Sequence, residues 1–183
     1  MYGTGKRIVE NQRKSLYSHG MTADEQRDYR QRHLRHRLTL LRSYSHRRAT
    51  GFDWNGNGDL FRCAKDSALI AIRLFLSAMG LKGRKDQDFD LYQDRAGGQD
   101  DVLIDQLGGT LPDPSSWSLT PPQARLLAGI YCRTNKELAH LTSTFDDEFN
   151  GDEIVDEAAQ LVVGLLNTNL YTVVNETMPE IDL

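Results

Sequence analysis

Leu60-Phe61-Arg62-Cys63-Ala64-Lys65-Asp66-Ser67-Ala68-Leu69-Ile70-Ala71-Ile72-Arg73-Leu74-Phe75-Leu76-Ser77-Ala78-Met79 is an uninterrupted stretch without Gly or Pro. Its apolar side chains fall on most sides of a helical wheel, which predicts a helix central to a bundle. Arg73 is its exception. Among Ile70, Ile72, Leu74 and Phe75, its charge must reach a carboxylate, a carbonyl or a wet cleft, because burial without a partner is costly. A structural salt bridge is the preferred reading over a site role. Lys82-Gly83-Arg84-Lys85 then reads as the close of this helix, a C-terminal glycine with cations that suit the dipole.

Upstream, Thr22-x-x-Glu25 is a capping box, and no Gly or Pro follows until Gly51, so a long helix is predicted there. Leu34, Leu38, Leu40, Leu41 and Tyr44 supply its apolar side. The remainder is strongly basic, with Arg27, Arg30, Arg32, Arg35, Arg37, Arg42, Arg47 and Arg48 around His33, His36 and His46. Such a helix suits a nucleic-acid backbone, the alternative being a charged exposed helix without a ligand. His33 and His36 have a helical metal spacing, but the arginines around them disfavour a divalent cation. Between the two helices, Gly51 to Asp59 imitates the opening of a calcium loop. Its twelfth position is Ala64 instead of a bidentate Glu, so a Gly/Asn-rich connection is expected.

Downstream, residues 86–119 are acidic and broken by Gly97-Gly98, Gly108-Gly109 and Pro112-x-Pro114; they read as a connecting insertion with a short helix over Gln99 to Leu107. Thr120-Pro121-Pro122-Gln123 opens the next helix with an N-cap, a proline at the first helical position and a completed box, and that helix is expected to run to about Thr144. Asn150 and Glu153 form a capping pattern for the last one. There Asp152, Glu153, Asp156 and Glu157 complement the macrodipole better than they make a metal site. Ile154, Val155, Ala158, Leu161, Val162, Leu165 and Leu166 give this helix a broad apolar face. No strand stands out. The expected fold is all-α, an up-and-down bundle of four long helices with an extra segment before the third. Residues 1–183 form one domain, with 1–21 a flexible basic arm.

Two cysteines, Cys63 and Cys132, have no CxxC spacing, which suggests neither a disulfide framework nor a zinc site. No apolar run stands behind Lys6 and Arg7, and the run Ala68 to Met79 is broken by Arg73 and Ser77, so neither a signal peptide nor a membrane span is expected. A cytoplasmic setting fits. The net charge of −4 conceals a polarity along the chain. Residues 1–48 carry 12 Lys/Arg against 4 Asp/Glu, whereas residues 86–183 carry 4 against 19. Either the basic region meets polyanions, or the two regions pair within the fold or across a dimer.

Arg133-Thr134-Asn135-Lys136-Glu137-Leu138-Ala139-His140 places an arginine and a histidine seven positions apart, which in a helix is one face. Leu127, Ile130, Tyr131, Leu138, Leu141 and Phe145 form the opposite, core-facing stripe. A permanently charged guanidinium beside an imidazole that titrates near neutrality suits phosphodiester cleavage; a plain solvated face is the alternative.

The order of parts resembles the HEPN superfamily, closest to its abortive-infection and toxin-antitoxin members, over residues 60–175. The residues that carry this are the apolar helix ending in Gly80-Leu81-Lys82-Gly83-Arg84-Lys85, the segment Tyr131 to Thr142, and the terminal apolar helix. The resemblance implies a homodimer that joins two motifs in a cleft and cleaves single-stranded RNA without metal or cofactor. In that picture His140 is the general acid/base for attack by the 2′-hydroxyl and Arg133 stabilises the phosphorane. Thr134 and Asn135 stand where the family's polar residue follows the arginine, which is usually Asn, Asp or His directly after it. The residue at the position of a tyrosine in some toxin members is Thr142. Arg30, Arg35, Arg37 and Lys136 are the expected RNA contacts, and an antitoxin or regulatory protein is a possible partner. Two other classes stay open: a non-catalytic helical interaction protein, and a nucleic-acid-binding regulator that uses the arginine-rich helix alone.

Overall fold

A computed structural model describes residues 20–52, 56–86, 88–94, 102–135 and 151–180. Nearly all of the basic arm expected over 1–21 lies outside them, as does the start of the short helix expected from Gln99. The capping box at Thr22 forms as its spacing requires: the Glu25 amide donates to Thr22 Oγ1 at 3.3 Å, and the Thr22 amide donates to the Glu25 carboxylate at 2.8 Å. Helix α1 (Ala23–Asp28) passes through a π-helical turn (Tyr29–Leu34) into α2 (Arg35–Ala49) without a break. Arg30, Leu34, Leu38 and Leu41 follow one another at steps of four, four and three residues and face inward together with Tyr44. Leu40, read as part of the apolar side, is exposed.

Asn57 caps α3 (Gly58–Ala78) by accepting the Leu60 amide at 3.0 Å. Ala68, Leu69, Ile72, Phe75 and Leu76 on this helix are buried. It packs against α2 on one side and against the two later helices on others, as a central element should. Among the described residues Arg73 forms no salt bridge: its Nε is shielded from solvent and has no hydrogen-bond partner there.

The chain is not all-α. Helix α3 ends at Gly80, whose φ of +67° reverses the backbone. The residues read as the close of the helix instead form β1 (Leu81–Lys85), which pairs antiparallel with β2 (Phe89–Gln93) in the register Leu81 to Gln93 and Lys85 to Phe89. Phe89 and Leu91 point inward and Asp90 outward, the two-residue alternation of a half-buried strand. Gly83 is therefore not a helix cap. It is where the sheet lies directly on the next helix: a Cβ there would come within 2.5 Å of the Ala128 carbonyl oxygen. Short strands of five residues flanked by charges carry too little periodicity to be distinguished from a frayed helix end.

Strand β2 lies inside the segment expected to be a connection. Further along it, Leu103 and the 3₁₀ turn Ile104–Leu107 place Leu103, Ile104 and Leu107 in the core. Gly109 then approaches the last helix so closely that a Cβ would sit 2.6 Å from the Asn169 oxygen, and the Thr110 amide donates to that same oxygen at 2.7 Å.

Helix α4 (Pro121–Arg133) starts on the predicted box, with the Thr120 amide donating to Gln123 Oε1 at 2.9 Å. It buries Leu127, Ala128, Gly129, Ile130 and Tyr131 against α3 and the sheet. The rest of its expected apolar stripe, and its expected end near Thr144, lie outside the described residues. Helix α5 (Asp152–Leu166) has Gly151 at its N-cap position and ends in a second π-helical turn (Asn167–Tyr171); Asn150, the expected cap, lies outside the described residues. Val155, Ala158, Val162, Leu165 and Leu166 are buried, with Ile154 and Leu161 on the flank. No helix among the described residues is long and apolar enough to cross a membrane.

Candidate nucleic-acid interface

The arginine-rich rod divides its cations between two environments. The inner ones are consumed by carboxylates. Arg30, 6% exposed, donates from Nε and NH2 to the Glu176 carboxylate at 3.0 and 2.6 Å, and from NH1 to the Leu107 carbonyl at 2.6 Å. The sequence places it among the RNA contacts; instead its position four residues before Leu34 puts it on the inward face, where it clamps the first rod to the C-terminal segment. Arg48, at the other end, reaches Asp156 at 2.6 Å and Glu153 at 3.3 Å.

Around Arg48 lies a polar network that joins α2, α3 and the first turn of α5. Tyr44 Oη and Lys65 Nζ both donate to Asp152 Oδ1 at 2.7 Å. Burial and the bond to Asp152 push the Tyr44 hydroxyl far above its ordinary value. For Asp152, burial opposes the charge, but the bonds from Lys65 and Tyr44 outweigh it and hold the carboxyl below the usual range. The acids at the start of α5 thus meet cations from two other helices, as well as their own dipole. Tyr44 is legible in the sequence only as an apolar position, because its hydroxyl acquires a role only once α5 is folded against it.

The outer cations are arranged differently. Arg35, His36, His46 and Arg47 are exposed, Arg37 and Arg42 half-buried on the flanks. Over the twelve positions from Arg35 to Arg47 the helix rises about 18 Å, room for several successive phosphates. Arg27, Arg37, Arg42 and Arg47 make no ion pair among the described residues, whereas Arg32 is tied to Asp28 at 2.8 Å. Arg47 lies over the ring of Phe52 at 4.5 Å, and Phe52 is itself 41% exposed. His33 stacks on Tyr29 with 4.8 Å between ring centres. The pattern is a cationic ridge with an aromatic ring at one end, a combination suited to backbone contact plus base stacking.

The motif residues fare unevenly. Arg133 is half-exposed at the last residue of α4. Thr134 is 1% exposed and its hydroxyl donates to the Ile130 carbonyl at 2.8 Å, so it turns inward and has no proton to offer a substrate. Asn135 is half-buried. Lys136 and His140 lie outside the described residues.

No protein-family model, curated protein or solved structure matches this chain. The likeness to HEPN proteins therefore rests on the quoted residues alone.

Proposed function

We propose that this protein binds RNA through the outer face of α2, with Arg35, Arg42 and Arg47 contacting the phosphate backbone and Phe52 stacking on a base; Arg37, on the side of Leu41 and Tyr44, is left out of the contact. The observation that carries this reading is the division of the arginines: Arg30 and Arg48 are paired with carboxylates of the acidic half, whereas Arg42 and Arg47 make no ion pair among the described residues and Arg47 is exposed. The strand-tolerant chemistry of a cationic face with one aromatic ring favours single-stranded RNA over a duplex groove. Titration of a labelled single-stranded RNA at several salt concentrations tests it. Micromolar or tighter binding that weakens steeply with salt is expected, and equal affinity for single-stranded DNA would move the assignment to single strands in general. Absence of binding at low salt would overturn it.

Cleavage of that RNA by Arg133 and His140 is a finer proposal. It is favoured by the half-exposed position of Arg133 and by the sequence resemblance, and it loses the contribution of Thr134, whose hydroxyl is spent on the helix. Loss of cleavage in His140→Ala and Arg133→Ala with RNA binding retained would establish it.

A further inference from the structure

The outward face of α3 differs from an ordinary solvated helix face. Leu60, Cys63, Ser67, Ile70, Leu74 and Ser77 follow one another at alternating steps of three and four residues, the spacing of a heptad seam. Leu60 and Ile70 are 49% and 41% exposed, and Cys63 is exposed too. One border of this seam carries Asp59, Asp66 and Arg73 at seven-residue steps; the other carries Ala64, Ala71 and Ala78. Ala71 turns into the core, and the small side chains along that border leave room for another helix to approach closely. Arg73 Nε is shielded and unpaired among the described residues, and neither Arg73 nor Asp66 has an ion-pair partner there.

We propose that this face is an interface between two copies of the chain, with α3 packed antiparallel on α3 of the second copy about a twofold axis. The charges select that arrangement. In an antiparallel heptad pair the two charged borders face each other, so Asp66 of each copy meets Arg73 of the other, twice by symmetry. Along the seam Ser67 then packs against Ile70, Cys63 against Leu74 and Leu60 against Ser77. A parallel pair would set the charged border against the alanine border and leave Arg73 without a carboxylate. An isologous contact has to be complementary to itself, and this one is in both charge and apolar spacing. It differs from the pairing through Arg133, Lys136 and His140 that the sequence suggests, and it needs no RNA.

Sedimentation velocity on the full chain, from about 1 to about 200 µM, tests the proposal. A single helix pair is at the small end of specific interfaces, so a dimer with a dissociation constant of about 10 µM is expected. Asp66→Arg and Arg73→Asp should each weaken it by about tenfold or more, and the two together should restore it. Independently, Leu74→Cys should yield a disulfide-linked dimer on mild oxidation, through the native Cys63 of the second copy, and adding Cys63→Ser should abolish it. Positions 63 and 74 lie about 16 Å apart on one helix, too far to bridge within a chain. A wild-type chain that stays monomeric at the highest concentration would overturn the proposal. So would a dimer indifferent to Asp66→Arg, or one that gives no cross-link with Leu74→Cys. If the charge variants lose helical content by circular dichroism, the cross-link decides.

Discussion

Arg30 and Glu176 grip each other at two points, guanidinium Nε and NH2 on the two carboxylate oxygens at 3.0 and 2.6 Å, with only the carboxylate edge open to solvent. This pair ties the first helical rod to the C-terminal segment, and Arg30 NH1 extends the tie to the 3₁₀ turn at Leu107. A cation this deeply buried is stabilising only while its partner is charged. The hydrogen bonds from Arg30 hold the Glu176 carboxyl below its ordinary value of 4.5. A folded-state pKa below the unfolded one contributes stability that is present above the unfolded value and lost as pH falls through the folded one. Glu176→Gln should therefore cost about 1–3 kcal/mol at pH 7 in urea unfolding, with the deficit shrinking below about pH 4. Stability curves of the wild type and the Glu176→Gln variant that stay parallel down to about pH 3 would contradict this.

Arg30→Gln should separate structure from binding. Because its nitrogens are committed to Glu176 and Leu107, the variant should lose about 2–4 kcal/mol of stability while leaving the salt dependence of RNA affinity unchanged. Arg42→Gln with Arg47→Gln should do the reverse, lowering the slope of log affinity against log salt by about 1.4 and leaving the unfolding midpoint near that of the wild type. An unchanged slope in the double variant would remove α2 from the interface.

Phe52 offers an exposed ring beside Arg47. Phe52→Ala should weaken single-stranded RNA binding by about tenfold with little effect on salt dependence, since stacking releases no counterions. Equal losses for single-stranded and duplex RNA would argue against stacking.

Gly83→Ala should be among the most destabilising small substitutions in the chain. The added methyl would meet the Ala128 backbone, with its oxygen at 2.5 Å and its Cα at 2.9 Å, and neither atom can rotate away. Separation of β1 from α4 should cost about 2–3 kcal/mol. Gly164→Ala is the matched control: nothing lies within 4 Å of its Cβ position on α5, so alanine should add about 0.5–1 kcal/mol through helix propensity. Urea midpoints moving in the same direction would refute the packing argument.

If His140 exchanges the proton in cleavage and Arg133 steadies the phosphate, single substitutions of either to Ala should abolish product while helical content persists. EDTA should leave the rate unchanged, and the rate should bend with pH within about a unit of 6.5. Wild-type cleavage by His140→Ala would leave RNA binding as the whole function.

The local signals are strong enough to be read directly from the chain. Thr22-x-x-Glu25 and Thr120-Pro121-Pro122-Gln123 each satisfy helix-start amides with groups three residues away, so their geometry needs no tertiary partner. The apolar stripes of α3 and α4 likewise name their own core faces, because 3.6-residue periodicity is a property of the sequence. Tertiary structure decided the rest. Whether Gly83 ends a helix or seats a strand depends on α4, forty-five residues later, coming close enough to require a residue without Cβ. Whether Arg30 meets RNA or Glu176 depends on a carboxylate 146 residues away that closes over the inward face of the rod. Charge and hydropathy are written residue by residue, but which cation faces water is set by the phase of a helix against the elements that close over it, and that phase is fixed only when the core packs.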